Sequence, residues 1–493
     1  MNSRFIPAVV VLACLAGAMA TPAAAQDADP ASVLRETISS DRDLWVAMVA
    51  LRATEEEELV PFFIAATQAK DKKHRFQAIG ALRDIGTAEA GKALVTVVRT
   101  DDDPTLRAEA LVHAIAMEAI SDAQLTEAMQ QKDERVQSLA ARELVARGKG
   151  KTAEATLREL VKSEDSRTAA MARLSLLKMG HKEQRDELKK LFEDAETPDS
   201  VIALMLEQIR EEKIAAAAQL AAYGATKGRP EPVRLLAYKA LDAVAGNASQ
   251  LIATAIAGSD MVVYRVHLLE ELADRKDAAG YLRALAKRKS DISEVIEFEL
   301  ARVTGAEDVE QATLAAVKLG HPIVIRHVAD RAAADVEELG AQADFYSPAL
   351  LHFIQNVNAS TRKMTREHVL AAKAATVLID LATPRATKGL KTILEGRYDA
   401  VKRAVAAGLL RSRSDLSTEL AMSLLDSPYE EIHTDAVLTL ARGGNAAADK
   451  PLRQILNHHK RNRPELNVLA AWFLARNTGR TSQAVRALTE KVK

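Results

Sequence analysis

Residues 71–86 read DKKHRFQAIGALRDIG. Ala78, Leu82 and Ile85 fall at three- and four-residue spacings, which lines one face of a helix with apolar groups. Gly86 follows at the place where a left-handed backbone ends a helix without steric penalty. Asp71 precedes the run, where a side-chain oxygen caps the first free amides. The stretch is one amphipathic helix with its start and stop signals written in.

The pattern recurs. DDPTLRAEALVHAIA starts at Asp102, DERVQSLAARELVARG at Asp133 and DSRTAAMARLSLLKMG at Asp165. Aligning Arg75, Arg107, Arg135 and Arg167 gives steps of 32, 28 and 32 residues. Such a period accommodates two helices and their turns, so the chain reads as serial helical hairpins. Asp103 with Pro104, Asp133 and Asp165 occupy capping and first-turn places, and Gly148 and Gly180 match Gly86. Between them Ala90 to Val98 forms a second helix, with Leu94 and Val98 inward.

Weaker copies follow at Pro232–Gly246, Asp260–Asp274, Arg366–Ala382, Asp399–Leu410, Pro428–Gly443 and Pro464–Gly479. The expected organisation is a signal segment at 1–25, capping helices at 26–70 and repeats at 71–340. An irregular connection or atypical repeat is expected at 341–368, and a second run of repeats at 369–493. The fold class is all-α, an α-α superhelix of twelve to fifteen hairpins.

Asp71 to Gly86 resembles a HEAT-type repeat, as found in bacterial HEAT-like scaffold and lyase-associated proteins. The resemblance is strongest over 71–180 and looser beyond. It implies a right-handed superhelix with a protein-binding or assembly role, and no single enzyme activity. It also implies that Asp71, Arg75, Asp103, Arg107, Arg135 and Arg167 organise contacts between successive repeats. Tetratricopeptide arrays have a similar period, but their tryptophan, Leu-Gly, tyrosine and proline pattern is missing here.

Arg4, the apolar run Ile6–Ala20 and Ala23-Ala24-Ala25 read as a secretory signal cut before Gln26. The run is short for a span and is broken by Pro7 and Gly17. Leu12 fits poorly in a lipoprotein box around Cys14, the single cysteine. Cleavage after Ala25 leaves no thiol, so stability must come from packed apolar surface. The expected destination is periplasmic or cell-surface.

The formal charge of -1 and 4% aromatics oppose DNA or RNA as a partner. A protein partner is expected first, with an acidic polymer or lipid headgroup as the other possibilities. No transmembrane segment is expected in the mature chain, and no cofactor.

The search for chemistry returns little. Gly148-Lys149-Gly150-Lys151-Thr152 mimics the end of a phosphate loop, but Val145 replaces the needed glycine and a helix precedes it. His321 and His327 are badly spaced for one face, His267 and His352 stand alone, and no His-Glu-x-x-His or Gly-x-Ser-x-Gly occurs. Trp45 and Trp472 are placed to seal the two end layers or to line a groove.

The clearest charge asymmetry lies between Arg385 and Arg413, opposed along the chain only by Glu395 and Asp399. It nominates Lys402, Arg403, Arg411 and Arg413 as a surface for an anionic partner; His458-His459-Lys460-Arg461 and Arg463 follow. The functional expectation is a non-enzymatic interaction or assembly scaffold in the bacterial cell envelope. The alternative is a hydrolase of an envelope substrate with a site assembled between repeats.

Overall fold

The computed structural model describes residues 28–225, 229–245, 248–259, 261–357, 365–396, 399–412 and 414–492. The signal segment, Cys14, Arg397 and Arg413 lie outside the described residues. Among the described residues the chain is α-helical, with short 3-10 turns and no strand. None of the described helices is long and apolar enough to cross a membrane. It divides into two compact units, one of Leu34–Ser259 with Ser482–Lys493, the other of Asp260–Thr481 with the N-terminal residues up to Val33.

In the Leu34–Ser259 unit, Asp41–Arg52, Lys72–Ile85, Pro104–Ala116, Glu134–Ala146, Ser166–Lys178, Asp199–Glu211 and Glu231–Ala245 pack each on the next as one layer. Shorter helices, among them Ala88–Thr100 and Gly150–Leu160, alternate with them and pack alongside. The stacked layer is tight because small residues face its neighbours. Ala78, Ala81, Ala108, Ala110, Ala140 and Ala141 are all fully buried. Leu82, Leu94, Leu111 and Leu157 fill the space between layers. Ile85 departs from the expected stripe and is only half-buried, since the helix ends there and its last turn rises out of the layer.

The caps are set by the aspartates. Asp71 accepts from the Lys73 amide at 2.7 Å, Asp103 from Thr105 at 2.8 Å, Asp133 from Val136 at 2.9 Å and Asp165 from Thr168 at 3.1 Å. Gly86 closes the first of these helices with φ 74° and donates to the Leu82 carbonyl. Lys149 and Gly150 open the helix Gly150–Leu160 immediately after another helix, a hairpin turn and not a phosphate loop.

The Asp260–Thr481 unit repeats the plan. Arg366–Leu381, Asp399–Leu409, Glu430–Arg442 and Pro464–Asn477 stack in succession. Before them Val262–Ala273 packs on both Ser293–Thr304 and Pro322–Leu339. Within the expected irregular stretch, Gly340–Tyr346 is a 3-10 turn and Ser347–Asn356 an α-helix, and residues 358–364 lie outside the described residues. Trp472 is fully buried, whereas Trp45 is 40% exposed.

Each unit includes a segment from the far end of the sequence. Ala28 donates its amide to Asn457 Oδ1 at 3.3 Å within one unit. Arg35 Nε donates to Glu490 Oε2 at 2.9 Å within the other.

Candidate interaction surface and its charged seams

The caps define a common register. Counting from each, Arg75 and Arg107 stand at the fourth position, and both send Nη1 back to the preceding turn, Arg75 to Ala69 O at 3.1 Å and Arg107 to Asp101 O at 2.8 Å. Gln137 holds that position in the next helix and does the same, reaching Gln131 O at 2.6 Å. Arg135 and Arg167 stand two positions earlier, near the exposed helix starts. This corrects the alignment by arginine, which slipped by two residues at the third and fourth repeats. Arg135 makes no ladder contact of this kind, and Arg167 Nη2 donates instead to Ser200 Oγ at 3.2 Å. Arg75 also binds Asp101 at 2.9 Å and Asp102 at 2.8 Å, while Asp103 receives Lys72 at 2.5 Å.

A seam of paired polar groups runs over the stacked helices of the Leu34–Ser259 unit. Arg52 reaches Asp84 at 2.6 Å by lying across Gly80, where a β-carbon would stand 2.5 Å from its Nη1. Further along, Gln208 Nε2 donates to Ser175 Oγ at 3.2 Å, and Glu212 gathers Lys178 at 3.0 Å and Arg142 at 3.6 Å. Every one of these pairs joins different helices.

The seam of the Asp260–Thr481 unit condenses into a buried knot. Glu299 is wholly inaccessible; its Oε2 receives Arg302 Nε at 2.7 Å, and its Oε1 receives Arg331 Nε at 3.0 Å and lies 2.7 Å from His327 Nε2. His327 Nδ1 lies 3.0 Å from Glu270 Oε1, and the other oxygen of Glu270 meets His267 Nδ1 at 3.1 Å. Arg331 continues to Asp274 at 2.5 Å and to the Glu270 carbonyl at 2.7 Å. Tyr346 donates to Asp335 Oδ2 at 2.7 Å.

The electrostatics follow from crowding opposite charges out of water. Burial alone raises the Glu299 carboxyl, but His327, Arg331 and Arg302 outweigh it and hold it at about 2. Glu270 is likewise held low against burial, by His267 and His327. Burial disfavours the His327 cation, yet the two carboxylates raise its pKa above the ordinary 6.5.

None of these six residues was nominated from sequence, and His267, read as isolated, is joined to His327 through Glu270. The knot draws on Val262–Ala273, Ser293–Thr304 and Pro322–Leu339, so no local motif announces it. Their helices start after Met261, Ile292 and His321, and the first two offer no side-chain cap from which a common register can be read.

Among the C-terminal cations, Arg403 pairs with Glu431 at 3.2 Å, Lys391 with Glu419 at 2.6 Å and Arg385 with Glu310 at 2.6 Å. The counter-charges therefore come from other helices, which a count along the chain overlooks. Lys402 is half-buried beside Arg403, and Arg411 lies exposed just past the end of their helix. Arg411 acts on Asp435, whose carboxyl is pushed up to about 7 by burial and by Glu431, with Arg411 opposing the rise. His458, Arg461 and Asn462 line a cavity of about 280 Å³ with Glu430 and His433. No group of three or more His, Cys, Asp or Glu side chains is placed to hold a metal ion among the described residues.

Residues 31–116 and 123–210 match the family model described as HEAT repeats. Those two stretches are HEAT repeats. The array in the Leu34–Ser259 unit is the part that the family model recognises. Among solved structures, the karyopherin Kap121p bound to the extreme C-terminus of the protein phosphatase Cdc14p is similar at 13% identity and TM-score 0.34, over 93% of this chain and 54% of that one. The Kap95:Nup1 complex is similar at 12% identity and TM-score 0.33, over 85% and 56%. UNC-45 from Drosophila melanogaster is similar at 13% identity and TM-score 0.27, over 94% and 80%. The chain thus spans about half the length of those two structures' chains. No curated protein matches its sequence.

Proposed function

We propose that the chain is a non-enzymatic protein-interaction scaffold, exported by its first 25 residues to the periplasm or surface of a bacterial cell. The observation that carries this reading is the fate of its ionisable groups. The densest acid–base constellation, Glu270–His327–Glu299, has two members with side-chain exposure of 1% and 0%, locked into ion pairs that join three helices. Those two members offer no face to a substrate, which weighs against a hydrolase built on them. Its work is to hold one repeat against the next, and an array held this way offers outward faces spread over many repeats. That is the geometry of recognition by surface rather than by cleft.

The test is quantitative capture. A tagged chain immobilised at increasing density is exposed to cell-envelope extract, and bound proteins are measured. A scaffold retains a defined protein with a saturating curve that free chain competes away. Stable, folded bait that retains nothing saturably contradicts the proposal. Export is tested separately by fusing residues 1–25 to a reporter active only outside the cytoplasm; an inactive fusion removes the envelope from the reading.

A further inference from the structure

We propose that the exposed face of the first five stacked helices docks an extended acidic segment of a partner protein. The inference rests on the scaffold reading and gives it a surface and a partner chemistry. The face belongs to Asp41–Arg52, Lys72–Ile85, Pro104–Ala116, Glu134–Ala146 and Ser166–Lys178, each packed on the next.

Their caps, Ser40, Asp71, Asp103, Asp133 and Asp165, put the helices in one register. At the second position after the cap stand Arg42, Lys73, Thr105, Arg135 and Arg167, all exposed. Cations hold four of the five places and no acid holds any. The position before it mixes its charges, with Asp41, Lys72, Pro104, Glu134 and Ser166. Arg42, Lys73 and Arg135 have no carboxylate within ion-pair distance among the described residues, although Arg135 acts on Glu109 from further away. Other arginines of this unit are spent on pairs, as with Arg52, Arg75 and Arg147.

Folding does not account for the row. A cation in the first turn opposes the helix dipole, and here the unfavourable choice recurs from helix to helix. Exposed apolar groups stand beside the first cations. Trp45 and Phe76, three residues after Arg42 and Lys73, are 40% and 46% exposed, and Val112 on the third helix is 37% exposed, whereas the place of Trp45 and Phe76 is taken in the next three helices by the buried Ala108, Ser138 and Ala170. Large aromatics left in water beside unpaired cations describe a surface that is completed by binding.

Spacing favours an extended peptide. Stacked helices lie roughly 8–10 Å apart, and an extended chain rises about 3.3 Å per residue, so an acid at every third residue meets one helix each. A bulky apolar residue at one end would then cover Trp45 and Phe76. The chain's net charge of -1 supplies no long-range attraction for a polyanion such as a nucleic acid.

The experiment uses the full chain and a fluorescent synthetic peptide with glutamate at every third position and one terminal phenylalanine. The comparison peptide has the same composition with its glutamates clustered. Wild type should bind the spaced peptide at least tenfold more tightly than the clustered one. R42E/K73E/R135E should lose at least tenfold, with helical content unchanged. W45S/F76S should lose a similar factor that persists at high salt, where the charged contribution is screened. Equal affinity of wild type and R42E/K73E/R135E, or equally tight binding of a single-stranded oligonucleotide or phosphatidylserine vesicles, overturns the proposal. A protein captured from extract equally well by both chains overturns this face and leaves the scaffold reading standing. Capture of nothing saturable by either overturns both.

Discussion

The Nε2 atom of His327 lies 2.7 Å from Glu299 Oε1, and neither side chain reaches water. Two helices are thereby joined by buried charge as well as by apolar packing. Removing one member strands the other charges. Glu299→Leu should cost about 3–5 kcal/mol, the range for breaking a buried ion pair on one side. Chemical denaturation checks it, and a cost within experimental error would show that the knot is not closed to water.

The same knot sets a pH dependence. The folded-state pKa of His327 is raised, so its contribution is complete below the ordinary 6.5 and is lost as pH rises through the raised value. Glu270 and Glu299 are held low, so their contribution is complete above the ordinary 4.5 and is lost as pH falls toward their folded values. The knot is therefore strongest between these two limits. His327→Gln should flatten the decline in melting temperature above neutrality. A wild-type and variant pair with parallel profiles would contradict the assignment.

Asp435 predicts a separable effect. Its carboxyl is raised from 3.8 to about 7, so ionising it opposes folding, and stability falls as pH climbs through that interval. Asp435→Asn lacks that loss and should gain on wild type as pH rises toward 7. Urea midpoints at acid and neutral pH measure the difference. A constant offset would mean that Asp435 titrates normally.

Leu82 and Leu111 are fully buried between the two layers of their unit. Truncating either to alanine should cost about 2–5 kcal/mol through lost burial and the cavity left behind. Unchanged unfolding midpoints for both would place the inner face elsewhere.

Close approach of two helices gives the fifth prediction. A β-carbon on Gly408 would stand 2.8 Å from the Ala372 carbonyl oxygen and 2.9 Å from Ala375 Cβ. The obstacle includes backbone, and Thr376 Oγ1 donates to the Gly408 carbonyl at 3.2 Å across the same contact. Gly408→Ala should destabilise by about 1–3 kcal/mol despite its better helix propensity. A stabilised variant would show that the two helices are free to separate.

Architecture was legible in sequence because caps, apolar spacing and terminating glycines act within one helix. Asp71, Leu82 and Gly86 do locally what their positions imply. Relations between helices were much less legible. Arg135 shares its residue type with Arg107 but not its register, and only the cap to which each helix is pinned reveals this. Glu270, Glu299 and His327 meet through packing, so nothing in their separate surroundings marks them. The partners of Arg385, Lys391 and Arg403 were hidden for the same reason, since Glu310, Glu419 and Glu431 come from other helices to meet them.

The most direct test of the scaffold account is the saturation curve of a purified partner on the folded chain, measured beside turnover in the same mixture. The account predicts a one-to-one or otherwise fixed stoichiometry, competition by free chain, and a partner recovered chemically unchanged. A partner consumed or cleaved catalytically, or binding that never saturates, would contradict it.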